Sequence, residues 1–160
     1  MESITITSTS KDEQYQELLP KIRSLIEDEV DLVANLANVS AALKSTFNYY
    51  SWVGFYLKKN DELVLGPFQG KVACVRIKIG SGVCGTAAVT KKTLLVPDVN
   101  KFPGHIFCDP DSKSEIVVPL IKSDELLGVL DVDSNAYNSF DGNDKKYLEE
   151  LALFLLPKFF

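Results

Sequence analysis

The sequence has few cysteines and no closely spaced pair of them. Cys74, Cys84 and Cys108 are its three, and no CxxC or standard zinc spacing joins any two of them. A chain of 160 residues also needs no disulfide staple to fold. There is no concentrated basic patch. Lysine and arginine number 17 against 22 aspartates and glutamates, the net charge is -5, and Lys91-Lys92 and Lys145-Lys146 are ordinary solvated pairs. That balance argues against a nucleic-acid or membrane surface, since phosphate binding needs clustered cations. No apolar run approaches the ~20 residues that span a bilayer, and Met1 to Thr5 lacks the basic and apolar regions of a signal peptide. Repeats, linkers and low-complexity tracts are absent, so residues 1–160 read as one domain. A reducing cytoplasm follows, in which the cysteines are free thiols at rest and any disulfide is transient.

What is present is patterned. Leu18, Ile22 and Leu25, then Leu32, Leu36, Val39 and Leu43, recur at helical spacing and predict two helices joined near Asp28-Asp31. Strands are expected at Trp52 to Leu57, Leu63 to Leu65, Val72 to Ile79, Thr93 to Val96, Glu115 to Ile121 and Leu126 to Asp133. A glycine-rich turn from Gly80 feeds a short helix, a long loop runs from Pro97 to Ser114, and a last helix spans about Asp141 to Leu156. Terminal helices around meandering strands predict an α+β domain with an antiparallel sheet.

Several residues are candidates for chemistry. Alternation along the expected third strand puts Cys74 on the face of Arg76 and Lys78, where two cations favour a thiolate. Cys108 lies in the long loop three residues after His105, the only histidine; a loop thiol can move between a substrate and a second thiol. Backbone amides at the turn before Cys84 suit a small carboxylate or a lowered Cys84 pKa, but the lysine of a P-loop and the Rossmann spacing are both missing. Asp131 and Asp133 project from one strand face in the row of Leu127 and Val129. A three-residue loop of Lys122, Ser123 and Asp124 sets Glu115 opposite Asp131 and is the favoured register; a two-residue Ser123-Asp124 turn puts Glu115 on the other face. Carboxyls gathered that closely keep a proton near neutral pH. Trp52, Gly54 and Tyr56 share a face and form either a flat floor for a ligand or plain core. Asp131 and Asp133 equally suit a strand end, His105 a structural role, and the three cysteines with His105 a Cys3His zinc set.

The blocks Gly66-Pro67-Phe68-Gln69-Gly70 with Cys74, Gly80-Ser81-Gly82-Val83-Cys84-Gly85, Phe102-Pro103-Gly104-His105-Ile106-Phe107-Cys108-Asp109, Ser114-Glu115-Ile116-Val117-Val118-Pro119-Leu120 and Gly128-Val129-Leu130-Asp131-Val132-Asp133-Ser134 resemble the free methionine-(R)-sulfoxide reductases. These are stand-alone GAF-domain enzymes of the cytosol. The resemblance implies a GAF fold, with a six-stranded antiparallel sheet, the terminal helices on one face and a ligand pocket on the other. It also implies that Cys108 is the nucleophile and that Cys74 and Cys84 are resolving thiols, Cys74 the main partner. Glu115, Asp131 and Asp133 then hold the amino group and sulfoxide of free methionine sulfoxide, and Trp52 and Tyr56 wall the pocket. Thioredoxin is the implied reductant, and neither a cofactor nor a metal is required.

Two other readings stand beside this one. A non-catalytic GAF sensor for a small ligand such as a cyclic nucleotide shares the fold, although the sequence stops at Phe160 without an output domain and an acidic pocket repels phosphate. A zinc-bound structural module is the other. The apolar tail Leu153-Phe154-Leu155-Leu156-Pro157-Lys158-Phe159-Phe160 packs on the helical side or serves a homodimer.

Overall fold

A computed structural model describes residues 3–159. Met1, Glu2 and Phe160, which the single-domain and apolar-tail expectations include, lie outside the described residues. The two expected N-terminal helices are α1 (Lys11–Ile26) and α2 (Leu32–Thr46). Each starts where a side chain satisfies an otherwise orphaned amide: Ser10 accepts from the Glu13 N–H and Asp31 from the Ala34 N–H. The sheet strands follow as β1 (Trp52–Lys59), β2 (Glu62–Gln69) and β3 (Arg76–Lys78), then helix α3 (Gly82–Thr90) and strands β4 (Leu94–Val96), β5 (Ser114–Lys122) and β6 (Glu125–Ser134). Helix α4 (Gly142–Leu155) closes the chain behind an Asp141/Asp144 capping box.

The six strands form one sheet in the order β3-β2-β1-β6-β5-β4, every neighbour antiparallel. Strand alternation divides the apolar residues between two cores. Val53, Phe55, Ile116, Val118, Leu120, Leu130 and Val132 meet α1, α2 and α4 on one face. Trp52, Tyr56, Val117 and Val129 face the other way and meet α3, through Val83, Ala87 and Ala88. Burying each large apolar side chain contributes about 1.5–3 kcal/mol, so the two faces hold the layers together.

A buried polar knot ties the terminal helices. The Asp144 side chain is fully buried; its Oδ1 accepts from the hydroxyls of Tyr15 (2.8 Å) and Tyr49 (2.6 Å), and its Oδ2 from Lys11 Nζ (2.6 Å) and the Asp141 amide (2.8 Å). A carboxylate can be buried at this cost because both oxygens are paired.

Three local expectations are corrected. The third strand is only Arg76–Lys78, and Val72 to Val75 is irregular, with Val75 exposed instead of lining the apolar face that alternation gave it. The β5–β6 hairpin uses the two-residue turn, Lys122 pairing with Glu125. Ser123 and Asp124 both adopt positive φ (50° and 65°), as tight hairpin turns require. Finally, Leu127 does not continue the acidic row: Leu120 pairs with Gly128 but Ile121 with Leu126, so Leu127 bulges onto the helical core. That single inserted residue returns Glu115 to the face of the two aspartates, directly opposite Asp133.

Candidate active site

The pocket opens on the sheet face opposite α1, α2 and α4. Its floor comes from β1, β5 and β6, one wall from the start of α3, and its mouth from the loops that carry Ala73 and Cys108. Trp52 and Tyr56 reach it from β1, as alternation predicts, and both are almost fully buried. Their polar tips bind the irregular segment before β3: Trp52 Nε1 donates to the Lys71 carbonyl (3.0 Å) and Tyr56 Oη to the Cys74 carbonyl (2.9 Å). Phe68 from β2 stacks on Trp52 with ring centroids 5.3 Å apart. Gly54 is needed for that stack, because a Cβ there would sit 2.3 Å from Phe68 Cβ and 2.7 Å from Trp52 Cη2. The space over the glycine is thus filled by protein, not left open as a ligand floor.

Three acids and a thiol converge behind the aromatics. Gly54 pairs with Asp131 and Trp52 with Asp133 across β1–β6, while Glu115 pairs with Asp133 across β5–β6. Cys84, in the first turn of α3, brings its Sγ to 3.8 Å from Glu115 Oε1. Ser112 donates to Asp133 Oδ1 (2.8 Å), and Asp131 Oδ1 is buried without a partner. Burial raises the pKa of all three carboxyls well above the usual range, and the neighbouring acids raise it further. Neighbours this close titrate as one coupled set.

His105 completes the ring. Its side chain is 8% exposed, with Nε2 3.6 Å from Glu115 Oε2 and Nδ1 buried without a partner. Burial lowers its pKa, favouring the neutral ring.

The cysteines depart from two expectations. Cys84 is no activated thiol: burial and then the charges of Asp131 and Glu115 push its pKa up, outweighing the helix terminus. Arg76 is occupied in an ion pair with Glu62 (2.9 Å) instead of attending Cys74. Cys74 and Cys108, brought together from the two mouth loops, form a disulfide with Cα atoms 5.4 Å apart. Their sulfurs therefore offer no thiolate to a Cys3His metal set in this form. Cys84, Glu115 and Asp131 do lie within metal-ligating distance of one another, all within 4.8 Å.

Phe68, Ser112 and Lys71 are site components that sequence reasoning missed. Phe68 lay beyond the expected strand Leu63 to Leu65, in the part of β2 that runs on to Gln69; Ser112 looked like any polar loop residue. Lys71, whose Nζ lies 2.6 Å from Asp111 Oδ2 and 3.7 Å from Asp109 Oδ1, bridges the two cysteine-bearing loops.

Residues 23–155 match the GAF domain family. A free methionine-R-sulfoxide reductase of Saccharomyces cerevisiae is 50% identical over 154 residues, covering 91% of this chain and 86% of its own length. The chain belongs to the free methionine-R-sulfoxide reductase family of GAF domains. GAF domain-containing protein A of Dictyostelium discoideum is 57% identical over 155 residues, covering 96% and 98% of the two chains. Among solved structures, the free methionine-R-sulfoxide reductase of Neisseria meningitidis in complex with its substrate superposes with a TM-score of 0.97 at 48% identity, over 99% of this chain and 96% of that one. The six-stranded antiparallel GAF fold expected from the resemblance is the fold observed. No helix among the described residues is long and apolar enough to cross a membrane.

Proposed function

We propose that this chain reduces free L-methionine-(R)-sulfoxide to methionine, with Cys108 as nucleophile, Cys74 as resolving thiol and the Glu115/Asp131/Asp133 cluster as acid and ammonium site. The observation that carries this reading is the disulfide between two loop cysteines at the mouth of a pocket whose far wall is an acid cluster.

In the reduced chain the Cys108 thiolate attacks the sulfoxide sulfur while a cluster carboxyl protonates its oxygen, which is a poor leaving group as bare oxide. The oxygen passes to Cys108 as a sulfenic acid, and methionine leaves. The Cys74 thiol then attacks the sulfenic sulfur, a disulfide forms and water departs. Two electrons from an external dithiol, thioredoxin by family likeness, restore both thiols.

The geometry supports each part. The Cys74–Cys108 bond pins the mouth of the pocket in this form, which suits the end of a cycle. Breaking the disulfide removes the covalent link between the two mouth loops. The unpartnered Asp131 Oδ1 is an acceptor suited to the substrate ammonium, and Trp52 offers a ring face to the S-methyl group. A pocket this enclosed favours the free amino acid over a residue within a polypeptide. A cytosolic location belongs to the same reading; of the two expectations for the C-terminal tail, packing on the helical side is the one its burial supports, with Leu155 and Phe159 in the helical core.

Single-turnover assays test the roles. Reduced Cys74→Ser protein should release about one methionine per chain and then stall without added thiol, and Cys108→Ser should release none. Full steady-state activity in Cys108→Ser refutes the assignment.

A further inference from the structure

The disulfide sits in an apolar collar. Val72 (89% exposed) and Val75 (62%) flank Cys74, and Ile106 (36%) and Phe107 (61%) precede Cys108. Val72 and Ile106 also line the pocket, but Val75 and Phe107 belong neither to the pocket lining nor to either core cluster. Exposed apolar groups gathered at one place mark an interaction surface.

The collar is held, not loose. Hydrogen bonds from Trp52 Nε1 to the Lys71 carbonyl, from Tyr56 Oη to the Cys74 carbonyl and from the Leu65 amide to the Val75 carbonyl (2.9 Å) fix the segment from Lys71 to Val75. The nearby charges are neutralised in pairs, Lys71 with Asp111 and Arg76 with Glu62. What remains for a partner is apolar surface around a disulfide.

We propose that Val75 and Phe107, with Val72 and Ile106, form the docking surface for a dithiol protein that reduces the Cys74–Cys108 bond. This rests on the reductase reading above, which requires an electron donor to reach that bond in every cycle. A partner thiolate attacks Cys74 Sγ, since Cys108 lines the pocket and Cys74 does not. The partner–Cys74 bond forms as the Cys74–Cys108 bond breaks, and Cys108 leaves as the thiolate needed for the next substrate. The partner's second thiol then attacks its own bonded sulfur, releasing Cys74 and leaving the partner oxidised.

The test follows disulfide loss in the oxidised protein by mass after alkylation, with thioredoxin or dithiothreitol as reductant. Val75→Asp and Phe107→Ser should each slow reduction by thioredoxin about tenfold, with the dithiothreitol rate held within about twofold. A single-thiol thioredoxin should be trapped on Cys74. Unchanged thioredoxin rates, or equal losses with both reductants, overturn the docking surface, and trapping on Cys108 overturns the site of attack. Sulfoxide plays no part in this assay. Loss of thioredoxin reduction in the variants, alongside a wild type that reduces no sulfoxide, sinks the reductase reading and leaves the docking surface standing.

Discussion

Asp131→Asn should stabilise the protein while disabling it. Asp131 is 6% exposed, its Oδ1 has no partner, and Glu115 and Asp133 crowd it from two strands. Burial first, and the Glu115 charge second, raise its folded pKa above the unfolded one. The folded state therefore binds more protons than the unfolded chain between the ordinary carboxylate pKa and the raised value. Stability is full below that window and falls as pH rises through it. Holding one carboxyl protonated at pH 7 against an ordinary value near 3.9 costs about 1.36 kcal/mol per pH unit, or at most ~4 kcal/mol. Because the cluster shares its protons, removing one acid should recover about 1–4 kcal/mol. For a chain of this size that is a rise in Tm of about 3–12 °C at pH 7. Thermal unfolding from pH 4 to 8.5 should show the wild type losing stability with rising pH and the variant following a shallower line. Activity should fall about 100-fold or more with the loss of an acid and ammonium ligand. A variant less stable than wild type at pH 7, or equally steep with pH, refutes the reasoning.

The other predictions concern the packing around the site. Gly54→Ala forces a Cβ to within 2.3 Å of Phe68 Cβ and should cost about 1–3 kcal/mol as the Trp52 stack shifts, with KM rising more than kcat falls in steady-state assays. Asp144→Ala takes the acceptor of Tyr49 and one partner each from Tyr15 and Lys11, which keep Tyr50 and Asp141; it should cost about 1–3 kcal/mol in denaturant unfolding yet leave the turnover of the folded fraction unchanged. Glu115→Gln keeps the shape but removes a proton carrier from beside Cys84 and His105, so the single-turnover rate should drop about 100-fold or more without unfolding.

The joint near Asp28-Asp31 and the start near Asp141 were legible and fall at the Asp31 and Asp141 caps, whereas the Ser10 cap of α1 went unread. Also legible was the division of β1 into Trp52 and Tyr56 on one face and Val53 and Phe55 on the other, because pleating alone sets it. The register of Glu115 was not. The two-residue turn and the Leu127 bulge each flip the face, and only their sum returns Glu115 to the aspartates. The expected face of Glu115 is the observed one, but the loop expected to put it there is not. Likewise Val72 to Val75 reads as a strand by residue type but pairs only in part, because the segment is tied to Trp52 and Tyr56 across the pocket. The Cys84 environment depends on three distant acids that no local window contains.

The measurement that bears most directly on the central claim is methionine release by the reduced protein from free methionine-(R)-sulfoxide under a thioredoxin system, run beside the S epimer and a peptide-bound sulfoxide. Turnover of the free R form alone is the predicted result. Folded protein with titratable thiols that releases no methionine from any of the three contradicts the account.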